Sequence, residues 1–308
     1  MRIRSAGHYS GIGGLAVLEG VMMRNRDRYA VAIRAENGDV KCKVEHYRAL
    51  LEGSVLLRIP IIRGIFVFID SMRLSFKTMG ESAEMSGEKQ ETKAETFLSR
   101  ALSVLMFVIS FSFAVGLFII APYYIARWLL TYIRSESLLS LAEGVLRILI
   151  FVLYVLLISR LRDIRRLFGY HGAEHKCINC IESGKSLTVE NVRASSRLHK
   201  RCGSSFVLFV MLVSIVLFFF IRVDNIALRL LLRIALLPVV SGISYELIRA
   251  AGRNDNVLVR VLSAPGFAMQ RLTTREPDDE MIEVGIRSVE AVFDWKEYHK
   301  DTFGREYA

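Results

Sequence analysis

Cysteine is scarce in this chain, with four in 308 residues, too few for the disulfide framework that staples small secreted domains. The first residues, MRIRSAGHYSGIGG, place no apolar run behind their arginines, so no cleaved secretory leader is expected there. No stretch before about residue 101 is long and apolar enough to span a bilayer. The glycines of GIGGLAVLEGVMM (11–23) follow neither G-x-G-x-x-G nor the P-loop pattern, which excludes those phosphate cradles at this position. Aromatics are few among the basic residues of 160–203, so the positive charge does not read as a nucleic-acid surface and no nucleic-acid partner is expected.

What the chain has in quantity is apolar residues, 52% of the total, with a mean hydropathy of +0.35; soluble chains hold ~45–50% even with glycine counted. They are concentrated in segments that meet the roughly 20-residue length of a helical span: 101–124 without a charge, 138–159 with Glu143 and Arg147, 204–221 without a charge, and 226–248 with Arg229, Arg233, Glu246 and Pro238. The expected fold is an α-helical integral membrane protein of about four transmembrane helices with a small β-rich cytoplasmic N-terminal domain. Residues 160–203 hold ten lysines and arginines, against Arg127 and Arg134 in 122–137 and Arg222 in 222–225. The positive-inside rule then puts 160–203 and both termini in the cytoplasm, the protein being multi-pass in its membrane with the lipid bilayer as its first partner. The net charge of +10 follows largely from that anchoring.

Outside the spans, YAVAIR (29–34) and VKCKVE (40–45) flank an Asn37-Gly38 turn, a strong hairpin signal, and 11–23 supplies a third strand, so 1–46 form the β-rich unit. Residues 47–79 are apolar but interrupted by Arg48, Glu52, Arg58, Arg63, Asp70 and Arg73, which suits interfacial amphipathic or re-entrant helices. Residues 80–100 read as a polar linker. The spans at 101–159 and 204–248 bracket a cytoplasmic His/Cys loop at 160–203. The tail, 249–308, carries an amphipathic helix. Its start is marked by Pro277 ahead of Asp278, Asp279 and Glu280, and its stripe of Met281, Ile282, Gly285, Ile286, Val289 and Val292 is set to dock on the β unit or on the central loop. Glu143 and Arg147 can pair as i,i+4 neighbours, and Arg229 or Arg233 with Glu246. Such intramembrane charges mark a polar seam or a pathway.

The central loop concentrates chemistry. Three of six histidines and three of four cysteines lie within 171–202, and three readings of them compete. In the first, His171-x-x-Glu174-His175 is an inverted zincin pattern: on a helix both imidazoles share a face, and Glu174 is placed as general base. His199 is then the leading third ligand, followed by Glu190 or Glu182. Gly172 weakens that helix by ~1 kcal/mol relative to alanine. In the second, Cys177-x₂-Cys180-x₁₈-His199-x₂-Cys202 has the spacing of a closed Cys₃His zinc site without chemistry. In the third, the histidines hydrogen-bond within a polar loop and the cysteines are small buried hydrophobes.

These residues resemble a family. GYHGAEHKCINCIESGKSLTVENVRASSRLHKRCGSSF (169–206), GGLAVLEGVMMR (13–24) and TTREPDDEMIEVGI (273–286) are similar to the blocks of the YqhQ-like family of bacterial multipass membrane proteins, described generally as predicted metal-dependent enzymes. The resemblance implies His171, Glu174, His175, His199 and Cys202 as the site positions and does not rest on Cys177. It therefore tilts the reading toward a histidine-centred site with zinc as its cofactor. The expected function is a membrane-embedded zinc hydrolase with Glu174 catalytic, acting on a membrane protein or lipid. The alternative is a non-enzymatic adaptor or assembly factor for a membrane-protein partner, with at most a structural metal.

Overall fold

The computed structural model describes residues 8–87, 95–131, 135–221, 223, 225–253 and 257–307. Part of the expected linker (88–94), together with Arg134 and Arg222 from the orientation count, lies outside them. A four-stranded antiparallel meander opens the chain: β1 (Gly13–Val17), β2 (Gly20–Asn25), β3 (Arg28–Arg34) and β4 (Val40–His46), in that spatial order. Residues 11–23 thus make two strands rather than the one expected. Leu18-Glu19 turn the chain with Glu19 at φ 51°, and Arg166 and the Tyr170 hydroxyl both reach the Glu19 carboxylate. Gly20 is required beside that turn, because a Cβ would stand 2.1 Å from the Ala32 carbonyl oxygen. The hairpin signal between β3 and β4 lands as expected, with Gly38 in the left-handed region at φ 86°.

Alternation along the strands gives the sheet two covered faces. Val21, Met23, Ala30 and Ala32 meet helices α5 (Arg162–Glu182) and α10 (Asp279–Glu290). Met22, Tyr29, Val31 and Ile33 meet α1 (Ile62–Ser86) through Leu74. The tail helix therefore docks on both expected surfaces at once. Asp278 is its cap, accepting from the Met281 N–H at 2.8 Å, so Pro277 lies ahead of the first turn rather than in it.

Residues 80–86 continue α1 rather than forming linker, and the charges of α1 bind protein. Asp70 is buried and accepts from the Tyr47 hydroxyl at 2.8 Å and the Leu50 N–H at 3.0 Å. Glu81 accepts from the Tyr29 hydroxyl at 2.8 Å. Arg63 pairs with Glu246, and Gly64 abuts Gly242 so closely that a Cβ would stand 2.8 Å from its carbonyl oxygen. The helix thus strings the sheet to the apolar bundle.

α3 (Ala121–Leu129), α4 (Glu136–Ile158), α7 (Gly203–Phe220), α8 (Ile226–Arg253) and α9 (Val257–Thr273) pack as that bundle, and α2 (Glu95–Val115) runs into it through a π-helical stretch, Gly116–Ile120, with its own sides exposed. Among the described residues four segments are long and apolar enough to cross a membrane: Val104–Leu129, Ser137–Ile158, Gly203–Phe220 and Leu231–Ala250. Glu143 pairs with Arg147 at 2.8 Å as expected, but Arg233 joins that same carboxylate, and Glu246 is taken by Arg63. The expected Arg229 or Arg233 pairing with Glu246 is not made. Arg147 also donates to the Phe118 carbonyl at 2.9 Å, a group in the π-helical stretch. The remaining helices are the short α6 (Val189–Arg193) and α11 (Trp295–Phe303).

Candidate functional site

The expected His/Cys loop at 160–203 is largely helix. In α5 the i,i+4 spacing stacks His171 and His175 on one face, ring centroids 4.5 Å apart. The segment 194–202 folds back over that face and is tied down by two α5 side chains. Buried Lys176 donates to the Arg193 and Ser195 carbonyls at 2.8 and 2.9 Å, and Asn179 to those of Ser196 and Leu198 at 2.6 and 3.0 Å. This fold-back brings in Cys202, the N-cap of α7. One donor atom each from His171, His175 and Cys202 lie within 4.8 Å of one another. His171 Nε2 stands 3.2 Å from Cys202 Sγ.

Both imidazoles are fixed from behind. His171 Nδ1 lies 2.9 Å from the Thr273 carbonyl and His175 Nδ1 2.6 Å from that of Arg197. A carbonyl can only accept, so each Nδ1 carries a hydrogen and each Nε2 is the ring nitrogen turned toward the cluster. This is how outer-shell groups orient metal-binding histidines. A tetrahedral zinc with N ligands at ~2.0–2.1 Å and S at ~2.3 Å needs donors roughly 3.3–3.8 Å apart; His171 Nε2 and Cys202 Sγ are already that close, and the widest separation in the trio, up to 4.8 Å, would have to close by as much as about 1 Å. Glu174, buried, lies just outside it, with its carboxylate 3.4 Å from His175 Nε2 and its Cγ against Gly14 of β1.

The electrostatics of the trio are mutual. Burial opposes charge on each group, but the Cys202 sulfur outweighs it at the histidines, raising His171 and pushing His175 up to about 9. Burial likewise pushes Cys202 up, and the two imidazoles overcome it, holding the thiol well below its usual range. The three shifts are mutual, and a lowered thiol favours the thiolate, the form that ligates metal.

The other cysteines are not part of this. Cys177 is fully buried against Gly285 of α10, and burial pushes its thiol well up. Burial also raises Cys180 to about 11; its Sγ lies 3.4 Å from the Ser186 carbonyl. The Cys₃His arrangement is not assembled. His199 is also outside the trio, 5.7 Å from His175 between ring centroids, with its Nε2 3.6 Å from Glu182. Glu190 on α6 is exposed and outside it too. Cys202 stands where His199 was the leading third ligand.

A cavity of about 220 Å³ opens over the trio. Its wall includes residues 11–14, the glycines read above only for what they do not bind. At its rim Ser10 donates to Glu182 through N–H and Oγ at 3.1 and 3.0 Å, and Arg201 pairs with the same carboxylate while stacking 4.4 Å over Tyr9. Gln270 clamps the backbone of His199 on both sides at 2.8 and 2.7 Å. Gln270, Thr273, Lys176 and Asn179 were not legible as site residues. Only the similarity of the 273–286 block hinted that the tail participates.

Glu182 yields a pH prediction. Burial pushes its carboxyl up, but His199, Arg201 and Ser10 overcome that and hold it at about 2, below the ordinary 4.5. A folded value below the unfolded one stabilises at neutral pH, and the gain is lost as pH falls from about 4.5 toward 2. Glu182→Gln is expected to cost about 2–3 kcal/mol at pH 7 and almost nothing near pH 2. Denaturant unfolding in detergent at pH 7 and at pH 3 checks this, and a variant deficit that does not shrink on acidification would contradict it.

The fold and site define a class: a largely helical protein with, among the described residues, four helices apolar enough to cross a membrane, a small antiparallel sheet, and a His/His/Cys cluster between the middle of α5 and the start of α7. Within this class the chain belongs to the family described as protein of unknown function, DUF1385, which it matches over residues 59–295. It is 36% identical over 289 residues to the "Uncharacterized protein YqhQ" of Bacillus subtilis (strain 168), covering 90% of each chain. No solved structure matches it.

Proposed function

We propose that this protein is a metal-dependent hydrolase at the cytoplasmic face of the bacterial membrane, with His171, His175 and Cys202 holding zinc and Glu174 as general base. The observation that carries this reading is the convergence of two imidazoles, each oriented by a carbonyl at Nδ1, and one cysteine sulfur beside a buried carboxylate. Zinc, when bound, would polarise a carbonyl and make hydroxide accessible near neutral pH. Glu174 would take the proton from the attacking water and return it to the leaving group. The wall of residues 11–14 limits water, and Gly14 leaves the room that the Glu174 side chain fills.

The four apolar helices are read as bilayer spans. Phe107, Phe111 and Phe113 of α2 and Leu149 and Leu153 of α4 are all more than half exposed, an apolar surface that water does not tolerate at this extent. The basic residues of 160–203 support a cytoplasmic site. Cys202 immediately precedes α7, so a substrate would be met next to the membrane, which favours a membrane protein or a lipid.

Elemental mass spectrometry of detergent-purified protein tests the metal. About one zinc per chain is expected, lost in His171→Ala and kept in Glu174→Gln, Cys177→Ser and His199→Ala. Zinc lost with Cys177→Ser but kept with His171→Ala would reverse the ligand assignment. A metal-free wild type would leave the adaptor reading in its place.

A further inference from the structure

A second cavity, of about 330 Å³, lies where α4 gives way to α5. Arg162, Arg165, Arg166 and Arg275 line it, with Glu276 and Asp278 as its acidic groups. Those carboxylates are already engaged: Glu276 pairs with Lys176 at 2.8 Å and Asp278 caps α10. Arg166 is neutralised by Glu19. Arg162 and Arg165 are exposed and, among the described residues, have no ion-pair partner. Arg275 closes the inner side. It donates through Nη2 to the Ser159 carbonyl at 3.0 Å, while its Nε is buried without a hydrogen-bond partner among the described residues. A buried guanidinium N–H left unmade is costly, and here it belongs to a cavity with surplus positive charge.

Position selects the anion. Ile158 ends one of the four helices able to cross a membrane, and Leu161, more than half exposed, is the last apolar residue before Arg162. A cavity at that junction sits at headgroup depth if α4 crosses the bilayer. Guanidinium groups match phosphate oxygens in planar, paired geometry, and their surplus charge disfavours a headgroup that carries its own ammonium.

We propose that this cavity binds the phosphate of an anionic phospholipid headgroup, chemically of the phosphatidylglycerol type. The inference rests on the reading that α4 spans the bilayer, and it is independent of any reaction at the His/Cys cluster.

The test is native mass spectrometry of the full chain in detergent, titrated with phosphatidylglycerol, phosphatidylcholine and soluble glycerol 3-phosphate. Phosphatidylglycerol is expected to bind about tenfold tighter than phosphatidylcholine, the scale of one charge-assisted hydrogen bond. That preference should vanish in the Arg162→Gln/Arg165→Gln double variant, fall in Arg275→Gln, and survive in the exposed control Arg28→Gln. The double variant changes exposed side chains only, so its fold is retained. Equal binding of the two lipids, or an unaffected double variant, overturns the proposal. Glycerol 3-phosphate that binds as tightly as the lipid overturns the lipid as its source. Labelling of Ser135→Cys and of Arg160→Cys, each in a Cys42→Ser background, from either side of sealed vesicles separately reports whether α4 crosses, since a spanning helix puts its two ends on opposite sides, so failure of that reading is distinguished from failure of the lipid site.

Discussion

Glu174→Gln is expected to abolish rescue of a chromosomal deletion while leaving zinc content and fold unchanged. Glutamine matches glutamate in volume, so the packing of this buried side chain between Gly14 and His175 is kept. What is lost is the ability to accept a proton, and loss of a positioned general base costs about 10²–10⁴-fold in rate. Glu174→Asp keeps the carboxylate but withdraws it by roughly one methylene, and a displacement of about 1 Å can cost on the order of 10²-fold. The expected order of rescue is therefore wild type, then Asp, then Gln, with equal zinc in all three. His171→Ala should fail on both counts. A Glu174→Gln protein that holds zinc and rescues like wild type would remove the base from the mechanism and favour a structural metal. The comparison separates proton transfer from metal retention because the carboxylate lies beside the donor trio and not within it.

The elements with a strong local signal were legible. The four apolar segments, the Asn37-Gly38 hairpin and the amphipathic tail helix each follow from periodicity or turn chemistry that needs no knowledge of the rest of the fold. Residues 11–23 misled because the turn at Leu18-Glu19 is marked only by a single Glu19-Gly20 break in an otherwise apolar run. It is held by the distant Arg166 and by the Gly20–Ala32 approach. The charges of α1 misled differently. Arg63 and Asp70 read as charges of an interfacial segment and Glu81 as part of a polar linker, yet their partners are Glu246, Tyr47 and Tyr29, which only the tertiary fold brings near.

Half of the candidate site was legible for the same reason. His171, Glu174 and His175 share a helix face, and that face is a property of spacing alone. The third donor depends on how 194–202 folds back, which Lys176 and Asn179 decide through backbone carbonyls; carbonyls leave no mark in a sequence. Cys202 and His199 are three residues apart, and nothing in their spacing ranks one over the other. Cys177 and Cys180 carry a genuine C-x-x-C spacing, but on α5 they turn away from the trio, Cys177 toward Gly285. Spacing proposes ligands, and the helix phase selects among them.

Gly172→Ala is expected to destabilise the protein although alanine is the better helix former. In α5 the exchange should gain ~1 kcal/mol from propensity alone. The Cβ, however, would stand 2.0 Å from the Arg275 carbonyl oxygen and 3.2 Å from its carbon, both backbone atoms that cannot swing aside. Overpacking of this kind costs about 1–3 kcal/mol, so the net change is a loss. The damage is directional as well. The segment pushed away is anchored by the Arg275 N–H to the Phe168 carbonyl at 2.8 Å and carries the Thr273 carbonyl that orients His171. Losing such an orienting group weakens metal binding by about 10–100-fold. Gly80→Ala in α1 is the control, since nothing lies within 4 Å of its Cβ position; there the propensity gain should raise the melting temperature. Thermal unfolding and chelator competition on both variants decide the matter. If Gly172→Ala melts as high as Gly80→Ala and keeps wild-type zinc affinity, close approach of the tail is not what requires this glycine. If it loses both, the residue that counted against a helical His-x-x-Glu-His site is the one that lets the tail reach His171.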